Sequence, residues 1–282
     1  MNTSPTTVAF QGVLGAYSHQ ACREAFPDAK EIACNTFEAV IAAVKNGKAD
    51  IAMLPVENST YGRVADIHSL LPESGLHIVG EHFVRVHINL MAKKGVKLEE
   101  IKTAMSHTVL LGQCRKFLKD HDIAPITGAD TAGSAQAVAA SDTTDMGALA
   151  SEMAADIYGL EVLAHHIEDN HHNTTRFLVM SPEQNFPDNG NDEFITTFVF
   201  RVRNIPAALY KAMGGFATNG VNMVKLESYM IEGSFTATQF YADVIGHPED
   251  PALKRALEEL EYFTDHLDIL GVYKTDVFRQ TA

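Results

Sequence analysis

Three short apolar runs alternate with two amphipathic patterns in the first part of the chain. The elements that they predict are, in chain order, a strand over 7–11, a helix over 18–26, a strand over 31–34, a helix over 37–45 and a strand over 50–54 that ends at Pro55. Apolar side chains at i, i+3, i+4 and i+7 mark one face of the second helix. This alternation predicts a parallel sheet with right-handed crossovers and a ligand site at the carboxyl ends of its strands.

A second α/β stretch follows and ends in a linker. Its pattern predicts strands over 83–91, 101–106 and 123–127 and helices over 112–119, 131–140 and 151–158. Residues 181–193 are rich in Pro, Asn, Gly and Asp, as connecting segments are. We therefore expect a domain boundary there.

After the linker the order of the elements changes. Strands are predicted over 195–202, 221–230, 236–244 and 269–273, helices over 206–219 and 251–267, and a turn at Glu232-Gly233. The first strand alternates as a half-buried strand does, and Pro206 suits the first position of its helix. The order strand–helix–strand–strand–helix–strand is that of a ferredoxin-like α+β unit.

Composition limits the partners that the chain can have. Its 282 residues, 46% of them hydrophobic, suffice for one large domain or two ordinary ones. The 22 basic and 36 acidic residues give a net charge of −14, which argues against a nucleic acid as partner. Between Lys119 and Arg201 the single base is Arg176, among 14 acidic residues.

Several classes of protein are disfavoured. The sequence shows neither a secretory signal nor a membrane span, which indicates a cytoplasmic protein without a membrane partner. Its three cysteines form no C-x-x-C pair, so we expect neither disulfides nor structural zinc. The histidines of HHIEDNHH, residues 165–172, lack the spacing of zinc motifs, and a solvated or hydrogen-bonding role is favoured over metal binding.

Two segments that follow predicted strands each have two interpretations. Gly12-x-x-Gly15-x-x-Ser18 is either an anion site at a helix N-terminus or a tight turn with Ser18 as the N-cap. Glu57-Asn58-Ser59 is either a ligand-binding segment at the end of its strand or a plain turn.

Cys114 and Arg176 are single candidates for chemistry. A cysteine at an apolar helical position is more often a small buried hydrophobe than a nucleophile, so burial is favoured for Cys114. Arg176 precedes the apolar run 177–180. It either pairs with Glu168 or Asp169 to neutralise a buried site, or it clamps a substrate carboxylate with its bidentate fork.

Five segments, in order, resemble the signatures of the prephenate dehydratase family. They are Gly15-Ala16-Tyr17-Ser18, Leu54-Pro55-Val56-Glu57-Asn58-Ser59, Gln113-Cys114-Arg115-Lys116-Phe117-Leu118, residues 148–160 and Asn173-Thr174-Thr175-Arg176-Phe177. Residues 194–274 resemble an ACT domain, a regulatory module that binds small ligands. The resemblance covers nearly the whole chain.

The resemblance implies a bilobed α/β catalytic region, like type II solute-binding proteins, followed by the ACT domain. The implied boundaries are 1–181 for the catalytic region, 182–193 for the linker and 194–282 for the ACT domain, with lobe one over about 8–80 and 167–180 and lobe two over about 81–166. The implied reaction converts prephenate to phenylpyruvate, water and carbon dioxide in phenylalanine biosynthesis. No cofactor and no metal are implied.

Site residues follow from the same resemblance. Thr175, the threonine before Arg-Phe, is implied to hydrogen-bond the leaving hydroxyl, and Arg176 to bind a carboxylate or stabilise charge. Glu57 and Gln113 complete the implied catalytic set. The implied substrate-binding residues are Ser18, Asn58, Ser59, Thr131, Ser134, Asn173 and Phe177, of which Ser18 and the segment 131–134 offer N–H groups at helix N-termini.

Regulation and assembly are implied by the likeness to an ACT domain. Phenylalanine is the expected effector, with Asn204, Ala207, Leu209, Asn222, Glu227 and Ser228 as its contacts. Because ACT modules usually pair, we expect a homodimer or a homotetramer.

Two other functions stay open at this point. Arogenate, which carries an amine in place of the keto group, is an alternative substrate for the same chemistry. A bilobed sensor of small carboxylates without catalysis is an alternative of a different class. The intact Glu57-Asn58-Ser59 and Thr175-Arg176-Phe177 segments favour the enzyme, although a shared fold alone does not decide function.

Overall fold

The computed structural model describes residues 6–231 and 237–280, which form two compact units. The first unit contains residues 6–63 and 83–177, and the second contains 64–82, 178–231 and 237–280. The sequence places residues 64–80 in lobe one and begins lobe two at residue 81. The structure instead groups 64–82 with the C-terminal part of the chain, where Ile78 pairs with Gly271.

Lobe one of the first unit contains the predicted parallel sheet. Its elements are β1 (Thr7–Gln11), α1 (Tyr17–Ala25), β2 (Lys30–Cys34), α2 (Phe37–Lys45), β3 (Ile51–Asn58) and β4 (Gly62–Arg63). β1 is parallel to both β2 and β3 and lies between them. β3 does not end at Pro55 but continues to Asn58, where it forms a hairpin with β4. Its pairing with β1 ends at Met53, so the missing N–H of Pro55 lies beyond that ladder.

After β4 the chain forms α3 (Ala65–Leu70) and β5 (His77–Arg85) and then enters lobe two. Lobe two comprises β6 (Asn89–Ala92), β7 (Thr103–Ser106), α4 (Thr108–Gln113), α5 (Arg115–Asp120), β8 (Ala124–Thr127), α6 (Thr131–Ala140), β9 (Met146–Ala150), α7 (Glu152–Tyr158) and β10 (Glu161–Ala164). The strand order is β10–β6–β9–β7–β8. The core of this lobe lies between that sheet and its helices.

Lobe two differs from its prediction in three places. The predicted strand 83–91 is divided between β5 and β6, and the predicted helix 112–119 is divided at Cys114 into α4 and α5. β9 and β10 carry no prediction. β9 has the sequence MGALA, which lacks β-branched and aromatic residues, and it is a strand because it lies between β6 and β7.

The chain returns to lobe one through β11 (Thr174–Ser181), which lies beside β3. Two connecting segments run side by side between the lobes. The Val86 N–H donates to the Asn173 carbonyl at 2.9 Å, and the Ile167 N–H donates to the Ile88 carbonyl at 2.9 Å. These segments place the start of β11 next to lobe two.

The second unit has the predicted order of elements in its C-terminal part. They are β12 (Phe194–Val202), α8 (Ala208–Thr218), β13 (Met223–Met230), β14 (Ala237–Ile245), α9 (Pro251–Phe263) and β15 (Thr264–Lys274). These strands pair antiparallel in the order β13–β14–β12–β15. Phe198 and Phe200 of β12 pack with Phe216 of α8 in one core. The predicted turn at Glu232-Gly233 lies outside the described residues.

Three predictions in this part were wrong in detail. β12 is buried over 194–200 and does not alternate, because Phe198 packs on one face while Thr197, on the other, bonds Asp243. α8 begins at Ala208, after Ala207 in the left-handed region at φ +63°, and not at Pro206. α9 ends at Phe263, because the residues that follow pair with β12 in β15.

The glycine-rich loop after β1 joins the two lobes of the first unit. A β-carbon on Gly15, which has φ +88°, would lie 2.9 Å from the Ala154 Cα of α7. The Ser151 hydroxyl donates to the Gly15 carbonyl at 2.6 Å, and the Tyr158 hydroxyl donates to the Leu14 carbonyl at 2.8 Å. Only glycine permits this close approach of the loop to lobe two.

His19 fixes the same loop from inside lobe one. The Gly15 N–H donates to His19 Nδ1 at 2.9 Å, so the imidazole is neutral and its proton lies on Nε2, 3.4 Å from Glu31 Oε1. The N-cap of α1 is Ala16, which makes no side-chain bond. Ser18 is the second residue of the helix, and its interpretation as the N-cap was wrong.

A pH dependence of stability follows from His19. Burial of the ring, followed by the charge of Arg23, lowers its pKa. Its contribution to stability is therefore present above the unfolded pKa of about 6.5 and is lost as the pH falls through the lower folded value. In urea unfolding, we expect the wild type to lose more stability between about pH 7.5 and about pH 5 than His19→Gln does.

The exposed His165 provides the control. His165→Gln should retain the pH dependence of the wild type. The same pH dependence in the wild type and in His19→Gln would contradict the assigned role of the His19 ring.

Candidate active site

Seven of the predicted site residues lie in one connected region of the first unit. They come from the end of β3 and its hairpin, from the end of α4, and from the start of β11. They are Glu57, Asn58, Ser59, Gln113, Asn173, Thr175 and Arg176. Glu57 and Asn58 are the last residues of β3 and Ser59 begins the hairpin turn, so the interpretation as a plain turn holds only for Ser59.

Three side-chain amides form a chain of hydrogen bonds from lobe two to Thr175. Asn173 Nδ2 donates to Gln113 Oε1 at 2.9 Å. Asn58 Nδ2 donates to Asn173 Oδ1 at 2.7 Å and to Thr175 Oγ1 at 3.0 Å. Asn58 Oδ1 accepts two backbone N–H groups of the hairpin turn. Asn58 and Asn173 are thus bonded at both ends of their amides, which fixes how each is oriented.

Thr175 is the partly exposed residue in a stretch of β11 whose other members, from Thr174 to Met180, are buried. Its Oγ1 accepts a hydrogen bond from Asn58, so its own O–H points elsewhere. Within the described part of the chain, that O–H has no acceptor. Thr175 therefore offers an oriented hydroxyl proton to a molecule bound at this position.

Arg176 has a different partner from those predicted. Its side chain is 2% exposed, and its Nη1 lies 2.8 Å from Glu57 Oε1. The sequence predicts Glu168 or Asp169 as the alternative to substrate binding. Glu168 instead lies between the lobes, where it accepts the Ile88 N–H at 2.9 Å. The carboxylate of Glu57 therefore lies beside the charge of Arg176 in the site.

Ser59 holds the hairpin against β11. Its N–H donates to the Thr174 carbonyl at 2.8 Å, and its hydroxyl donates to the His172 carbonyl and accepts from the Thr174 N–H, both at 2.9 Å. These bonds occupy the Ser59 hydroxyl. They also set the register that places Asn58 beside Thr175.

The predicted anion site at residues 131–134 already holds a carboxylate of the protein. Asp130 is the N-cap of α6, and its Oδ1 accepts the Gly133 N–H at 2.6 Å. The Ser134 side chain is buried and donates to the Asp130 carbonyl at 2.5 Å. This carboxylate takes the place at the positive end of the helix where Thr131 and Ser134 are predicted to bind substrate, so that expectation has no support here.

Two further predicted substrate contacts are enclosed by the protein. Ser18 is 8% exposed inside α1, and Phe177 is 1% exposed in β11. Phe177 packs in the interior because it lies in the buried stretch that follows Thr175. Neither side chain presents appreciable surface to a ligand.

The residues predicted to contact an effector all lie in the second unit, and each keeps some exposed surface. They are Asn204 and Ala207 before α8, Leu209 within it, Asn222 before β13, and Glu227 and Ser228 in β13. Glu227 Oε1 lies 3.3 Å from Lys225 Nζ.

The structure also bears on the Cys114 thiol and on candidate metal ligands. Burial raises the pKa of the Cys114 thiol far above its usual range, and the charges of Asp169 and Glu168 add to the effect. Within residues 6–231 and 237–280, no group of three or more histidine, cysteine or acidic side chains could hold a metal ion. In the same ranges no helix has the length and apolar character needed to cross a membrane.

Tyr61 belongs to this region, although the sequence does not single it out. It lies in the hairpin turn after Ser59 and is 49% exposed, and its hydroxyl donates to the Val109 carbonyl of α4 at 3.1 Å. An aromatic residue beside Gly62 and next to the Glu57-Asn58-Ser59 segment is the signal that marks it. With Gln113, it connects the hairpin to lobe two.

Comparison with known proteins identifies the family of this chain. Residues 8–185 match the family model for prephenate dehydratase. A bifunctional N-acyl-homoserine lactone acylase/prephenate dehydratase from Komagataeibacter europaeus is 50% identical over 273 residues, 97% of each chain. Arogenate dehydratase/prephenate dehydratase 1, chloroplastic, from Arabidopsis thaliana is 37% identical over 98% of this chain and 74% of its own length.

A solved structure extends the match. The crystal structure of prephenate dehydratase from Arthrobacter aurescens in complex with L-Phe has a TM-score of 0.86 and 29% identity, and the match covers 95% of this chain and 90% of that one. Because the family model spans more than half of the sequence and both relatives match over nearly all of it, this chain belongs to the prephenate dehydratase family and is a dehydratase, a lyase.

Proposed function

We propose that this enzyme converts prephenate to phenylpyruvate at the Thr175 site. The bond from the ring to its carboxylate breaks and releases carbon dioxide, and the electron pair of that bond enters the ring. The ring C–O bond breaks, and the hydroxyl leaves as water after taking up one proton. The product ring is aromatic, which supplies the driving force.

Thr175 donates a hydrogen bond to the leaving oxygen. The observation that carries this assignment is the Thr175 hydroxyl itself, which accepts a hydrogen bond from Asn58 and belongs to a partly exposed side chain of β11. A threonine hydroxyl is a weak acid, so its role is to stabilise the developing charge while the proton comes from water. Asn58, Asn173 and Gln113 are positioning residues in this account.

The Arg176–Glu57 pair supplies a fixed dipole beside Thr175. The Arg176 side chain is 2% exposed and paired with Glu57. In this proposal it stabilises the charge that develops on the substrate through its electrostatic field, and it does not bind a substrate carboxylate directly. The substrate's two carboxylates therefore need other partners. This assignment differs from the sequence-based interpretation in which Arg176 clamps a substrate carboxylate with its bidentate fork.

Arogenate is the alternative substrate. The Arabidopsis relative is named for both arogenate and prephenate, so the same assay must include both compounds. A non-catalytic sensor has lost its support, because the chain belongs to a family of dehydratases.

The C-terminal part is proposed to be an ACT domain that binds phenylalanine. Support comes from the ferredoxin-like order and pairing of β12 to β15 and from the L-Phe complex of the Arthrobacter enzyme. The same proposal divides the chain by function into a bilobed catalytic region over 1–181, a linker over 182–193 and the ACT domain over 194–282. A cytoplasmic homodimer or homotetramer is part of the same proposal.

Residues 64–82 connect the proposed effector strand to the site. Within the second unit, the His68 ring of α3 lies 6.0 Å from the ring of Tyr229, which follows Ser228 in β13, and 5.0 Å from that of Tyr241. In the chain, only Val64 separates α3 from Arg63, which lies opposite Glu57 in the β3–β4 hairpin. We propose that effector binding at β13 acts on Glu57 and Asn58 through α3 and the chain segment that joins α3 to β4.

Substitution of Thr175 tests the proposed reaction. Thr175→Ala should lower kcat for phenylpyruvate formation by about 10²–10³-fold, because the hydrogen-bond donor to the charge that develops on the leaving oxygen is lost. Thr175→Ser keeps the hydroxyl and should retain much of the activity. The readout is phenylpyruvate absorbance, with thermal unfolding of each variant as the control for folding.

Two outcomes would count against the proposal. Full activity of a folded Thr175→Ala would remove the assigned role of the hydroxyl.

The Komagataeibacter relative supplies a second candidate function, since its name includes an acylase activity and it is 50% identical to this chain. A wild-type protein that forms no phenylpyruvate but releases free acid from an N-acyl-homoserine lactone would favour that activity.

Substitution of His68 tests the proposed regulation. His68→Ala removes the ring between α3 and the two tyrosines, so the phenylalanine concentration for half inhibition should rise about fivefold or more. His68→Phe keeps a ring and should respond as the wild type does. Unchanged inhibition of His68→Ala, with kcat without phenylalanine also unchanged, would exclude α3 as the connection.

A further inference from the structure

A cavity of about 410 Å³ opens on lobe two, among α4, α5 and β8. We propose that it binds a small carboxylate with an apolar body, at a position distinct from the Thr175 hydroxyl. Its volume falls within the range of about 300–1,000 Å³ that is typical of small-molecule sites. None of its lining residues belongs to the amide chain.

The floor of the cavity is apolar. Leu111 of α4, Leu118 of α5, and Ile123 and Pro125 of the following segment line it. The first three are nearly buried in the core of lobe two, so the floor is firm. A flat ring or a short aliphatic chain would cover this surface and remove it from water.

Two cations lie at the rim. Arg115 and Lys119 are one helical turn apart on α5, and both are exposed. Neither has an ion pair with any residue that the structure describes, and no acidic residue lines the cavity. Like charges at this spacing repel each other, and a bound anion would relieve the repulsion.

Charge and hydrogen bonding together favour a carboxylate. The chain as a whole has a net charge of −14. Two cations without an ion pair over an apolar floor therefore create a local positive potential in a protein whose overall potential is negative. The guanidinium of Arg115 matches the two oxygens of a carboxylate, and the Thr108 and Thr127 hydroxyls at the same cavity add donors. A ligand of this class carries its charge at one end and its apolar body at the other.

The cavity shares a helix with the active site. α4 contributes Thr108, Leu111 and Gly112 to the cavity and ends at Gln113, which begins the amide chain. A β-carbon on Gly112 would lie 3.5 Å from the Tyr61 hydroxyl and 3.8 Å from the Arg115 guanidinium. An occupant therefore touches the element that carries Gln113.

Calorimetric titration of the full chain with sodium phenylacetate tests the proposal without turnover. Arg115→Met/Lys119→Met should weaken binding about tenfold or more, because both charged contacts are lost. Lys116→Met is the matched control, since Lys116 is exposed on the same helix but does not line the cavity, and it should bind as the wild type does. Phenylacetamide, which lacks the charge, and acetate, which lacks the ring, should both bind more weakly.

Three results would overturn the proposal. They are equal affinity for phenylacetate in the double variant and the wild type, equal affinity for phenylacetamide, and equal affinity for acetate. If the double variant is unfolded by thermal denaturation, Arg115→Gln alone gives the same test with a smaller expected loss. Since the titration does not measure catalysis, its result is independent of whether Thr175 acts on prephenate.

Discussion

The hydrogen bonds that link Gln113, Asn173 and Asn58 determine where the Thr175 hydroxyl points. Gln113 comes from lobe two, whereas Asn58 comes from lobe one, so the chain of amides is complete only while the lobes are together. A buried amide that loses its hydrogen-bond partner lowers the stability of the folded state. The orientation of the Thr175 hydroxyl therefore depends on how the two lobes of the first unit are placed relative to each other.

Electrostatics in this protein is local. A chain of net charge −14 does not attract a dianion through its overall field. Two of the places where the sequence suggests positive potential have a carboxylate of the protein beside them, Glu57 at Arg176 and Asp130 at the N-terminus of α6. The uncompensated cations that the structure shows at a cavity are Arg115 and Lys119, beside the helix that ends at Gln113. Substrate recognition must work within that distribution of charge.

The bounds of two helices could be predicted from the sequence. α2 and α6 have the predicted bounds, and each is capped by the residue before it, Thr36 or Asp130. β9 could not be predicted, because its residues have little preference for strands and only their neighbours make them one. Long-range partners were equally hidden. Glu57 lies 119 residues from Arg176 in the sequence, and local pattern carries no information on such a pair.

Within the site, the family signatures identified the residues that converge, but they did not identify the role of each one. Signature membership does not distinguish a residue that touches ligand from one that supports it, which is why Phe177 proved to be enclosed and the Ser59 hydroxyl to be engaged with backbone. Those distinctions depend on burial and on the direction of each hydrogen bond, which only the folded chain fixes.

The most direct test of this account is a double-mutant cycle on kcat for prephenate, with Gln113→Leu and Thr175→Ala made singly and together. If Gln113 acts by orienting Thr175, Gln113→Leu should lower kcat when Thr175 is present. It should have little further effect on kcat in the Thr175→Ala background. If the two losses instead multiply, Gln113 acts independently of Thr175, and the chain of amides does not position the hydroxyl.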